Sequence, residues 1–249
     1  AFTIGSEINK TTAAFYDAQS ALGVYGKDTA AFVKQVGEFS IATGADLNDS
    51  INSATKALKA FGLETSYTKQ LLESNARTVQ VGITTFRELD KVQTEYAGAA
   101  KGAGQSVDTA NKVFAAFTSI AKDSVSAATM TKTAFEGLTQ KGTIEGLKRI
   151  GISLYDSNGN MRDMSKILEE VSGKFSKMTP KQIDEIINKI GGPEGLRNLF
   201  VKLKTGSEDF FKTLQAFDNS SFDLTKALKN AQGDITVLGG IVRNRWNVV

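Results

Sequence analysis

Asp156, Asn158 and Asn160 place oxygen-bearing side chains at every second position of a short loop. An EF-hand calcium loop presents its first three ligands with this spacing. Such a loop also needs a glycine directly after the third ligand and a bidentate acid at the end, and Met161 and Ile167 stand there instead. A tight turn at Asn158-Gly159, set between Leu154, Tyr155, Met161 and Met164, accounts for the same residues without an ion. Two carboxylate pairs, Glu169-Glu170 and Asp184-Glu185, have the residue types for acid–base work. Neighbours on a helix point roughly 100° apart, so neither pair shares a pocket, and both read as solvated helix faces. Gly98-Ala99-Ala100-Lys101-Gly102-Ala103-Gly104 has the glycines of a phosphate-cradling loop but lacks the preceding apolar strand and the Gly-Lys-Ser/Thr step into a helix. It reads as a helix break. The 15 phenylalanines could stack nucleic-acid bases, yet Phe15, Phe61, Phe117, Phe135, Phe175 and Phe200 fall at inward helical positions, where they build a core.

The chain contains neither histidine nor cysteine. That removes imidazole bases, thiol nucleophiles, disulfides and Cys/His zinc sites. No catalytic, cofactor-binding or metal-ligating residue is assigned, no cofactor is expected, and the chain reads as a non-enzyme. Lys plus Arg is 30 against 27 Asp plus Glu, net +3, with the signs interspersed, too little for a nucleic-acid surface. No stretch of about 20 apolar residues is present to span a bilayer, and no signal peptide is visible. The first residue is Ala1 and the last three are Asn247-Val248-Val249, which suggests a fragment of a longer chain.

The elements around these residues are helical by spacing. Ile4, Ile8, Thr11, Phe15, Ala18 and Leu22 step by four and three, a seam of coiled-coil type, and Leu47, Ile51, Ala54, Leu58 and Phe61 repeat it up to Gly62. Phe32, Val36 and Phe39 mark a helix stopped by Gly44, and Leu72, Ala76 and Val79 another. Thr85 and Glu88 have capping-box spacing ahead of Leu89, Val92 and Tyr96. Asp108 is the expected cap of a helix carrying Val113, Phe117 and Ile120, followed by one with Ala128, Thr131, Phe135 and Leu138. Thr179-Pro180 opens the stripe Ile183, Ile186, Ile187, Ile190. Leu196, Leu199, Phe200 and Leu203 follow, then Phe210, Leu214 and Phe217, and then Leu224 and Leu228.

The predicted fold class is therefore all-α, a series of amphipathic helices and helical hairpins with one β-hairpin-like Asn-Gly turn near 152–162. Three regions are expected: helical hairpins over 1–140, a core joint of turn plus helices over 141–205, and a C-terminal helical tail over 206–249. Residues 44–61 and 102–117 share a glycine loop, an early polar cap and a terminal Phe. They are either a duplicated hairpin or two helices built by the same rules.

At the joint, Gly146-Leu147-Lys148-Arg149-Ile150-Gly151-Ile152 runs into Leu154-Tyr155-Asp156, the Asn158-Gly159 turn, Met161-Arg162-Asp163, and a helix with Ile167, Leu168, Val171 and Phe175. This spelling resembles the core region of phage tail tape-measure proteins, with Ile150 where the family usually has Leu. The likeness covers roughly residues 35–205 and includes Ser40 to Gly44, Gly82 to Leu89 and Ala134 to Ile150. Ile190-Gly191-Gly192-Pro193-Glu194-Gly195-Leu196 departs from the family's Phe-Gly-rich turn. The resemblance implies a virion protein of the tail-tube lumen, present in the host cytoplasm during assembly, that sets tail length and assists genome ejection. It also implies an oligomer, a trimer by preference, with tube, tail-tip or baseplate hub proteins and assembly chaperones as partners, and with transient contact to DNA and the host inner membrane. The alternative is a membrane-active helical protein that forms or aids a delivery channel. Glycine breaks every 15–25 residues argue against one continuous rod, and the sequence is compatible with a compact or an extended form.

Overall fold

The computed structural model describes residues 15–232 apart from 17, 21, 24 and 191–193. The expected start of the first seam, Ile4 to Thr11, and the tail from Gly233 lie outside the described residues. The helices are α1 (Lys27–Thr43), α2 (Leu47–Phe61), α3 (Thr68–Val81), α4 (Phe86–Gly102), α5 (Val107–Thr118), α6 (Ser124–Leu138), α7 (Lys141–Arg149), α8 (Met164–Phe175), α9 (Pro180–Ile190), α10 (Glu194–Thr205), α11 (Ser207–Asn219) and α12 (Leu224–Gln232), with a 3-10 turn at Thr65–Tyr67. The fold is all-α, and no strand occurs among the described residues.

The β-hairpin-like turn expected near 152–162 does not develop into a hairpin of strands. A single antiparallel bridge joins Tyr155 and Met161, and neither side extends into a strand. The Gly159 N–H donates to the Asp156 carbonyl, and Gly159 has φ +82° while Asn158 keeps an ordinary negative φ. That is a type I turn followed by a left-handed glycine, a geometry that closes a loop without needing long partners.

Local signals place most helix ends. Asp46 caps α2 by accepting the N–H groups of Asn48 and Asp49. Its C-terminus closes with Gly62 N–H on Lys59 and Leu63 N–H on Leu58, the paired bonds of a Schellman motif. Thr179 and Gln182 reciprocate, backbone to side chain, in a full capping box ahead of Pro180. One expectation needs correction. Ser106, not Asp108, caps α5, its hydroxyl accepting from Thr109 N–H at 3.0 Å. The break expected over Gly98 to Gly104 falls at the end of that stretch, since α4 runs on to Gly102. Its stop is set by Gly104 N–H on Lys101 and Gln105 N–H on Ala100.

Two compact units form. Unit 1 comprises residues 1–77, 86–91 and 221–249, and unit 2 comprises 78–85 and 92–220, so the division falls within α3 and within α4. In unit 1, α1 packs on α2 and on α12. Phe32, Val36, Ile51, Ala54, Leu58, Leu71, Leu72 and Leu89 are buried there, and Phe39 meets Phe86 edge-on at 5.2 Å. Unit 2 is organised around α5, buried on every side from Thr109 to Thr118 and flanked by α6, α8 and α11. A helix with no solvent face must be apolar nearly all round, and Ala110, Val113, Phe114, Ala115, Ala116 and Phe117 supply that. Phe117 meets Phe210, and Phe175 meets Phe200 at 5.0 Å edge-on.

Candidate functional site

The joint lies wholly within unit 2, and each part is held by a different force. Ile152, Leu154 and Met164 are buried and fix the loop from beneath. Gly151 has φ +75°, and a Cβ there would sit 3.1 Å from the Lys174 ammonium. That ammonium donates to the Ile150 carbonyl, so a cation from the last turn of α8 satisfies a carbonyl left open at the end of α7. The guanidinium of Arg162 reaches the Ser153 carbonyl and the Glu170 carboxylate together, tying both arms of the loop to α8. From the other side, Gln105 donates to the Arg162 carbonyl at 3.2 Å and accepts the Met164 N–H at 2.8 Å.

Asp163 caps α8 by accepting the Ser165 N–H at 2.8 Å, and its second oxygen accepts the Thr109 hydroxyl at 2.9 Å. Burial pushes its carboxyl upward, but the bonds from Ser165, Thr109 and Lys166 together hold it below its usual range. Asp156, the first of the calcium-type ligands, accepts the Asn158 and Asn160 N–H groups, both at 2.9 Å. Those loop amides, Asn160 foremost, hold its carboxyl below the usual carboxylate range. The positive charge a cation would bring is thus supplied by backbone dipoles. No cluster of three potential metal ligands occurs among the described residues.

The remaining candidates fall into separate places. Gly98 and Gly102 lie within α4 and Lys101 in its last turn, so no cradle forms. Glu169 pairs with Lys166 and Glu170 with Arg162, while Asp184 pairs with Arg197 at 2.8 Å. Glu170, read from sequence as a solvated acid, is therefore half of the loop's anchor. The phenylalanines expected inward at 61, 117, 135, 175 and 200 are buried, whereas Phe15 is only half-buried.

Three polar features escaped the sequence reading. The Asn111 side-chain oxygen, buried in α5, accepts from Gln93 at 3.0 Å and from the Tyr96 hydroxyl at 2.8 Å. Burial holds the Tyr96 phenol well above its usual range. Lys112, also buried in α5, donates to both oxygens of Asp218 at 2.7 Å. In unit 1, Ser53 donates to Asp90 at 2.5 Å beside a cavity of about 10 Å³, room for one water, lined by Ser50, Asn75, Phe39 and Phe86 among others. Burial pushes the Asp90 carboxyl up to about 6 against Ser53's opposing bond, and the charge of Asp49 adds to the rise. The sequence signal for the first two was visible: Asn111-Lys112 stands directly ahead of the apolar run Val113 to Phe117.

All of these polar groups tie one element to another. Residues 3–192 match the family described as phage-related minor tail protein. A tape measure protein of Pneumococcus phage Dp-1 is 20% identical over 185 residues, which cover 74% of this chain and 16% of that protein. The chain thus spans about a sixth of the length of that relative. No solved structure matches. With more than half of its length matched, the chain belongs to the phage-related minor tail protein family.

Proposed function

We propose that this chain is a folded segment of a tape-measure protein, occupying the tail-tube lumen of a phage and taking part in length setting and genome delivery. The alignment over 185 residues to a tape measure protein carries this reading, and the family match supports it. The fold is compatible with it. Apolar stripes are packed into helical units, and the polar groups described above serve as caps, ties and ion pairs.

The ruler itself must be extended. A helix rises about 1.5 Å per residue, so length is measured by residues laid end to end, not by units folded back on themselves. We therefore assign the measuring stretches to other parts of a parent chain and give this segment the role of a folded body engaging tail components, as an oligomer inside the tube. Contacts with hub proteins, chaperones, DNA or the inner membrane belong to the same proposal. No helix among the described residues is long and apolar enough to cross a membrane.

In-frame deletions elsewhere in the parent gene test the assignment by electron microscopy of tails. The expected result is shortening by about 1.5 Å per residue removed from helical stretches. Tails of unchanged length refute the length-setting role.

A further inference from the structure

In unit 1, α1 and α12 close on each other. Phe222 meets Phe39 edge-on at 6.3 Å, about one turn before the end of α1. α12 begins just beyond Phe222, its Leu224 N–H on the Glu73 carboxylate of α3 at 3.3 Å. A helix continuing from there in the direction of α1 would run off its end at Thr43. α12 instead makes with α1 the most extensive helix pairing of the unit, so it turns back and lies antiparallel to α1. Its 9 residues rise about 14 Å, which brings its last turn level with the first turns of α1.

Everything between the two helices is enclosed by this pairing. All of unit 2, residues 78–85 and 92–220, lies between α1 and α12 along the chain. Tension applied at the first turn of α1 and the last turn of α12 therefore crosses directly through their contact. Unit 2 carries none of it while that contact holds. Antiparallel helices pulled by ends that lie side by side peel apart turn by turn, so their contacts break in sequence and not all at once. The grip is also weakest where peeling starts. Leu224 is buried at the inner end, whereas Ala227, Leu228 and Ala231 towards the outer end are half-buried. A helix of 9 residues does not keep its shape once detached, so each turn released is lost.

We propose that the α1–α12 pair is a tension-sensitive clasp: a pull along the chain opens unit 1 first and loads unit 2 only afterwards. The device follows from the path of the chain and does not depend on the tape-measure reading. A chain drawn out lengthwise is released by it in two steps.

The chain has no cysteine, so introduced cysteines are unique attachment points for optical tweezers. Lys27→Cys with Asn230→Cys, both at exposed positions, pulls the clasp at its outer end. The expected record is two lengthenings in fixed order, roughly 200 Å from unit 1 and then, at higher force, roughly 450 Å from unit 2, at about 3.4 Å per freed residue. Moving the first attachment to Ala45→Cys, beside the opposite end of α1, loads the same pair lengthwise and should raise the force of the first opening about twofold. Leu224→Ala should lower the first force or abolish the first event, and leave the second unchanged. A single event that frees the whole chain, unit 2 opening first, equal first forces in the two attachments, or a fall in both forces with Leu224→Ala overturns the inference.

Discussion

Replacing Asp90 by Asn should stabilise unit 1 at neutral pH and leave it unchanged in acid. The carboxyl is partly buried at the end of a one-water cavity, receives one hydroxyl bond from Ser53, and lies within the field of another acid, Asp49. Its neutral form is therefore favoured in the folded chain, with the titration moved from 3.8 to about 6. A raised carboxyl means that the folded state binds more protons than the unfolded state between those values. Stability contributed by this group is present below about pH 4, falls as pH rises, and is fully lost above about pH 6. The full shift corresponds to about 3 kcal/mol, and residual solvent access trims the expected effect to about 2 kcal/mol. Asn keeps an oxygen for Ser53 and carries no charge at any pH. Urea unfolding followed by far-UV circular dichroism, with hydrogen exchange of the α2 amides as the local readout, should show the variant more stable at pH 7.5 and equal to the parent at pH 3.5, both pH values chosen to lie about 1.5 units above and just below the raised and ordinary titration points. Other carboxyls, Asp163 among them, are shifted downward and give the opposite slope, so the difference between the two proteins is the quantity to read. A carboxyl carbon titration of Asp90 with its midpoint near 4, or a variant destabilised equally at both pH values, would refute the reasoning.

Three further outcomes follow from the packing. Asp218→Ala leaves the buried Lys112 ammonium without its partner and should cost about 2 kcal/mol in urea unfolding, whereas Lys112→Met should stay within about 1 kcal/mol of the parent. Gly98→Ala and Gly102→Ala, at exposed positions within α4 where an added Cβ meets open space, should each stabilise by about 0.5–1 kcal/mol, seen as a higher thermal midpoint. Gly206→Ala places a Cβ 2.3 Å from the Ile120 side chain and should destabilise by about 1–3 kcal/mol, with Ile120→Ala in the same chain restoring part of the loss.

Helix ends and inward faces were legible because their signals are local. Asp46, Gly44, Gly62, Asp163 and Thr179-Pro180 act within one turn of themselves, and the i, i+3, i+4 spacing of Ile167, Leu168, Val171 and Phe175 is enough to bury all four. What failed was decided by competition or by distance. Ser106 and Asp108 both have capping chemistry, and Ser106 won because a cap must sit outside the first helical residue. Within the expected break over 98–104 the helix stops only after Gly102, because the cost of about 1 kcal/mol for each of Gly98 and Gly102 is overridden where Tyr96, Ala97 and Ala100 bury the other face of the same helix. The Arg162–Glu170, Lys112–Asp218 and Ser53–Asp90 contacts join residues that periodicity assigns only to a face. Which acid meets which cation is set by the packing of helices, and no spacing rule reports it.

The central claim is that this chain works by the surfaces it buries, as a structural part of a phage tail. Cross-linking mass spectrometry of intact, purified virions tests it most directly. The account predicts peptides of this segment in every particle, cross-linked through its surface lysines to tube or tail-tip proteins. Virions free of the segment, with the chain confined to the host lysate, contradict it.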